Sequence, residues 1–171
     1  MDDLAIVECQ LGRAPRAFRR VAVRCPHGTP AVTEQDPYGA DGEPFPTTYY
    51  LTCPRLVAAI ARIEASGGVE RWSRDVVQDP ELAASLEQAT QEQRRIRREL
   101  AAGRTGRDDG ASLELGVGGS RSPENLKCLH AHVAFALARP GYVLGERMLA
   151  EVDSPWPAET CCIADRLVEP D

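Results

Sequence analysis

The sequence predicts an α+β fold in which a small N-terminal antiparallel sheet, at about residues 19–53, packs on a mostly helical body. Two observations support this. Period-two alternation and β-branched or aromatic runs are confined to the first third of the chain, whereas apolar residues recur with helical spacing in the rest. A nearly continuous apolar stretch also predicts one buried central helix at about residues 123–138. At 171 residues the chain has the length of one domain. We divide it into a lead-in segment (1–18), an α+β domain (19–152) and an irregular C-terminal tail (153–171).

Two segments carry the strand signals. In RRVAVRC, Val21 and Val23 alternate with smaller or polar residues, which is typical of a strand with one buried face. TTYYLTC is β-branched and aromatic and stops at Pro54. The segment between them is rich in proline and glycine, which predicts turns around a short strand at 31–33. The sequence therefore predicts a hairpin-like sheet with an elaborate loop.

The remainder has helix signals. Pro54 suits a first helical turn, and the apolar face that follows ends at Gly67. Asp79-Pro80-Glu81 places a capping carboxylate, a proline and an acid in the order favoured at a helix start. The helix at 80–102 has only a thin apolar stripe, so we expect it to pack on one neighbour and to lie at the surface. Residues 103–112 are expected to form a mobile loop, and Ser122-Pro123 to begin the buried helix.

Composition excludes several functional classes. The 26 acidic and 20 basic residues give a net charge of −6, and aromatic residues make up 5% of the chain. Arginines cluster at 94–98, but acidic residues flank them, so the sequence argues against nucleic-acid binding. No apolar run approaches the roughly 20 residues of a membrane span, and the N-terminus has no export-signal pattern. We expect a cytoplasmic protein.

Six cysteines in a reducing compartment direct attention to metal binding. Cys25 and Cys53 each end a predicted strand, so paired strands would bring both thiols to one rim of the sheet. Cys128 and His132 are four residues apart on the predicted buried helix and share a face. These four side chains form a Cys₃His set suited to zinc, and with an open fourth position the cysteines would suit an iron–sulfur cluster. Ordinary core packing of the cysteines is the alternative.

Two other functions stay open. The glycines at 116, 118 and 119, with Arg121, precede the predicted buried helix and are a candidate anion-binding loop, although a plain turn explains them too. If the protein is an enzyme, Cys128 is the candidate nucleophile, activated by a histidine or by Lys127, the only lysine. The glycine loop would then hold an anionic substrate. A further hypothesis is that the protein is an interaction module whose helix at 80–102 docks on a protein partner.

The motifs RCPHGTPAV, PFPTTYYLTCPRL, LGVGGS and LKCLHAHVAFALA, in this order, resemble the bacterial family DUF501 over roughly residues 19–150. The family name records no activity, so the resemblance implies positions rather than chemistry. Those positions include Cys25, Cys53, Lys127, Cys128 and His130. The resemblance thus favours His130 as the functional histidine, whereas the helix-face argument favours His132, and both remain candidate metal ligands.

Overall fold

The computed structural model describes residues 2–122, 125–159 and 161. They form three strands, β1 (Phe18–Arg24), β2 (Pro30–Gln35) and β3 (Tyr49–Leu51). They also form six helices: α1 (Asp3–Leu11), α2 (Pro54–Ala65), α3 (Gly68–Gln78), α4 (Pro80–Ala101), α5 (Leu129–Ala138) and α6 (Val143–Leu149). Three short 3₁₀ turns lie between α4 and α5. The predicted α+β class is therefore confirmed.

The sheet is antiparallel, with the strand order β1-β2-β3. Every residue of β2 is buried because this strand is central and is covered on both faces. Its Val32 pairs with Val23 of β1 and Leu51 of β3. The two strands identified most clearly from the sequence, β1 and β3, are thus not neighbours but flank β2.

Helix α5 is the centre of the helical body and contacts β3, α2 and α6. Its Phe135 ring stacks edge-on against Tyr49 of β3 and against Tyr142, with ring centroids 5.5 and 5.6 Å apart. The prediction of a buried central helix is confirmed, but its start is wrong. Residues 125–128 are not helical and Pro123 lies outside the described residues, so the described helix begins at Leu129.

The helix predicted at 80–102 exists as α4, capped by Asp79, whose carboxylate accepts from the Glu81 amide at 2.9 Å. The expectation that it packs on one neighbour is wrong, because α4 contacts α3, α6 and two of the 3₁₀ turns. The buried face of α4 also carries polar side chains that the apolar pattern did not predict. Arg97 is fully buried and donates to the carbonyls of Ser112 (3.1 Å) and Phe45 (3.0 Å).

The segment expected to be a mobile loop, 103–112, has defined contacts with the loop after β2. The hydroxyl of Tyr38 donates to Asp108 at 3.0 Å, and the Arg107 amide donates to the Gly42 carbonyl at 2.9 Å. Among the described residues, no helix combines the length and apolar character needed to cross a membrane. The C-terminal tail is described only to residue 159 and at Cys161, where Trp156 and Cys161 pack against the core.

Candidate functional site

Three potential metal ligands meet where α2 approaches the start of α5. The Sγ atom of Cys128 lies 3.7 Å from Nδ1 of His130, and this nitrogen lies 3.2 Å from Oε1 of Glu64. The three ligand atoms all lie within 4.8 Å of one another, and all three residues are partly buried. In the described part of the chain this is the one group of three or more such side chains.

Local backbone geometry explains why Cys128 and His130 converge although they are only two residues apart. Cys128 has an extended backbone, with φ −157° and ψ 115°, and His130 lies in the first turn of α5. Residues two apart within a regular helix point to different sides, so the pair meets only because the helix begins after Cys128.

Glu64 joins the group through the end of α5. Its Oε1 accepts a hydrogen bond from the Leu129 amide at 2.6 Å, which satisfies one of the free N–H groups of the first helical turn. A carboxylate also interacts favourably with the positive end of the helix dipole. Sequence reasoning missed Glu64, but a signal existed. The residue follows the buried Ile60 by four positions and so lies near the inward face of α2.

His130 is held in one orientation by a second contact. Its Nε2 lies 3.0 Å from the Val57 carbonyl, which can only accept, so Nε2 carries a proton and Nδ1 faces Cys128 and Glu64. Burial lowers the pKa of His130, but the hydrogen bonds to Cys128 and Val57 and the negative charges nearby outweigh it and raise this pKa to about 9. In the metal-free protein the raised pKa favours a cationic imidazolium of His130 beside the Cys128 sulfur and the Glu64 carboxylate.

The other predicted ligands lie elsewhere. Cys25 and Cys53 are buried and do not belong to the Glu64–Cys128–His130 group. Cys25 follows β1 and Cys53 follows β3, and β2 runs between these strands. Neighbouring strands are about 4.8 Å apart, so the ends of β1 and β3 are separated by roughly twice that distance. Because β1 and β3 are both antiparallel to β2, they run in the same direction and their C-terminal ends lie at one rim of the sheet, but β2 lies between them.

His132 is a core residue. It is completely buried, its Nδ1 lies 2.7 Å from the Tyr142 hydroxyl, and burial lowers its pKa to about 4. The helix-face argument for His132 assumed that Cys128 is helical, and the structure shows that it is not. Of the two histidines, His130 is the one that the structure places beside Cys128.

The glycine loop forms a tight turn. The amides of Gly116 and Gly119 donate to the carbonyls of Ser120 (2.8 Å) and Gly116 (3.0 Å), and Arg121 is exposed. Two of the expected anion donors are thus engaged within the turn. The helix expected to assist them begins only at Leu129. Lys127 is exposed beside Cys128. Anion binding by this loop and activation by Lys127 remain predictions.

An open cavity of about 540 Å³ adjoins the group, with Cys128 and His130 among its lining residues. Residues 21–150 match the family model described as "Protein of unknown function (DUF501)". Comparison with curated proteins and with solved structures gives no match.

Proposed function

The chain belongs to the DUF501 family, and we propose that it binds a zinc-like transition-metal ion through Glu64, Cys128 and His130. The convergence of a thiol, an imidazole and a carboxylate on one point carries the proposal. These are the ligand types that zinc takes in proteins, and three protein ligands leave a fourth position for water or substrate. A site of this composition is of the open, catalytic kind rather than the closed, structural kind.

The observed spacing supports a mononuclear ion. With Zn–S of about 2.3 Å and Zn–N or Zn–O of about 2.1 Å, tetrahedral geometry sets S···N near 3.6 Å and N···O near 3.4 Å. The corresponding separations are 3.7 Å for Cys128–His130 and 3.2 Å for His130–Glu64. Zinc would need only small adjustments of these two separations, and the third pair, Cys128 Sγ and the Glu64 oxygen, lies within 4.8 Å. An iron–sulfur cluster needs several thiolates, whereas this group supplies one.

The contacts around the ligands are those that metal sites use. The non-ligating nitrogen of His130 donates to the Val57 carbonyl, and Glu64 accepts from the Leu129 amide. Such outer contacts fix the histidine tautomer and the orientation of both ligands.

The test is metal content and cobalt spectroscopy. Protein purified without chelator should contain about one zinc per chain, and the cobalt-substituted protein should show a thiolate-to-cobalt charge-transfer band. Cys128→Ser should abolish the band and Glu64→Gln should weaken binding at least tenfold. Cys53→Ser is the discriminating control. Retained metal in this variant supports the Glu64–Cys128–His130 site, whereas metal lost only in this variant overturns it in favour of the set containing Cys53.

The pairing of Cys128 with His130 at the wall of a cavity favours a second candidate function, a nucleophilic thiol. An imidazolium beside a sulfur stabilises the reactive thiolate. In metal-free protein, alkylation of Cys128 by iodoacetamide, followed by mass spectrometry, should slow at least tenfold in His130→Gln. Equal rates in the two proteins would refute the pairing as an activating one.

A further inference from the structure

The cavity beside Cys128 and His130 has the size and lining of a small-molecule site. Its volume of about 540 Å³ lies within the range of 300–1,000 Å³ found for ligand pockets. Tyr49, Leu51 and Val57 contribute to an apolar wall. Pockets of this kind bind the apolar body of a ligand by burial and orient it through a few polar groups.

Among the described residues that line the cavity, Arg13, at the end of α1, is the one permanently charged side chain, and none of them is acidic. Glu64 lies 3.2 Å from the lining residue His130 but does not itself line the cavity. The chain as a whole has 26 acidic and 20 basic residues, so this composition departs from the average surface in favour of an anion.

A glycine keeps the inner wall open. Gly118 lines the cavity, and its φ of 71° lies in the left-handed region that favours glycine. A Cβ at this position would lie 3.3 Å from the Ala131 Cβ and 3.8 Å from the Cys128 carbonyl. Gly118, which the sequence analysis placed in a candidate anion-binding loop, therefore keeps space open in the cavity beside Cys128.

We propose that this cavity binds a small organic anion with an apolar body, such as a hydrophobic carboxylate, with Arg13 attracting the anionic group. The inference goes beyond metal binding and does not require it, because Arg13 and the apolar wall lie outside the Glu64–Cys128–His130 group. Binding next to Cys128 would bring the ligand to the candidate reactive atoms.

The experiment compares 3-phenylpropanoate with its neutral analogue 3-phenylpropan-1-ol, by calorimetry or protein-observed NMR on metal-free and zinc-loaded protein. The carboxylate should bind about two- to fivefold more tightly than the alcohol in the metal-free protein, as expected for one exposed charge contact. Arg13→Gln should remove this preference and leave the affinity for the alcohol unchanged. Bound 3-phenylpropanoate should also slow iodoacetamide alkylation at Cys128 but not at Cys9.

A matched pair of variants locates the ligand. Ala58 lies on the exposed side of α2 and lines the cavity, so Ala58→Trp should fill its mouth and weaken binding at least tenfold. Ala84→Trp, at an exposed position of α4, should have no effect. Failure of both probes to bind, equal affinity of the two probes, or unchanged binding in Ala58→Trp would each overturn the proposal. Metal content is measured on the same samples, so absence of zinc with intact ligand binding would refute only the metal site.

Discussion

Replacing Gly145 by alanine tests how closely α6 packs on α5. Gly145 is buried in α6, and a Cβ at this position would lie 2.5 Å from the His132 carbonyl oxygen and 2.7 Å from the Ala136 Cβ. Ordinary contacts of this kind are about 3.4 Å or longer, so α6 would have to move away from α5 by several tenths of an ångström. A third atom, Cδ1 of the Tyr142 ring, would lie 2.9 Å away. The His132 oxygen and the Ala136 Cβ do not move with a side-chain rotamer, so a change of rotamer cannot relieve the two shortest contacts.

The magnitude follows from two opposing effects. Overpacking of a core costs up to about 3 kcal/mol, whereas the higher helix propensity of alanine returns about 1 kcal/mol. We expect Gly145→Ala to lower the free energy of unfolding by about 2 kcal/mol. For a chain of 171 residues this corresponds to a decrease in Tm of about 4–8 °C.

Urea unfolding followed by circular dichroism measures the change. Ala136→Gly removes one of the three obstructing groups, so the double variant should lose less stability than the sum of the single variants. If Gly145→Ala is neutral or stabilising, helix propensity has outweighed packing, and the reasoning about this interface is refuted. Strict additivity would show that Ala136 does not take part in the contact.

Three further predictions concern the site and its supports. Zinc at a hundredfold excess over its Kd should stabilise the protein by about 2.7 kcal/mol, which raises Tm by about 5–11 °C. Scanning fluorimetry should show this increase in Cys53→Ser but not in Cys128→Ser. Arg97→Lys should cost about 2–4 kcal/mol in urea unfolding, because a buried ammonium cannot reproduce the fork that donates to two carbonyls, whereas the exposed Arg95→Lys should stay within about 0.5 kcal/mol of the parent. Burial raises the pKa of Asp108, but hydrogen bonds from Ser112, Tyr38 and Gly110 outweigh this effect and hold the pKa below 3.8. The carboxylate therefore contributes its full stability above pH 3.8 and loses it as the pH falls through the lower pKa of the folded state. Asp108→Asn should reduce the loss of unfolding free energy between neutral and acid pH, and an unchanged pH dependence would contradict this assignment.

Local signals placed most elements correctly where the cause of the structure is itself local. Pro54 and the Asp79-Pro80 pair begin α2 and α4 as predicted, because a capping carboxylate and a proline act on their own helix. The boundary between α2 and α3 also falls at the Gly67 turn. The start of α5 was missed for the opposite reason. Its first turn is capped by Glu64, a carboxylate 65 residues away in the chain.

The candidate site was also predictable from the sequence only in part. Cys128 and His130 were available from the sequence as residue types, and resemblance to the family favoured this histidine. Glu64 and the Val57 carbonyl join them only through the packing of α2 on α5. Cys25 and Cys53 looked equivalent because each ends a strand, but sheet order decides which strand ends are neighbours, and β2 separates them.

Glu64 makes two contacts at the start of α5, and both must be considered when its variants are interpreted. Its Oε1 accepts from the Leu129 amide and also lies 3.2 Å from His130 Nδ1, so Glu64 caps α5 and is also one of the three proposed metal ligands. Glu64→Gln keeps an oxygen acceptor for the amide but removes the charge, whereas Glu64→Ala removes both. If Glu64 served only as a cap, glutamine would restore most of the stability lost in the alanine variant and would leave zinc affinity unchanged. Because zinc prefers the charged carboxylate, we expect glutamine to rescue folding without rescuing metal binding.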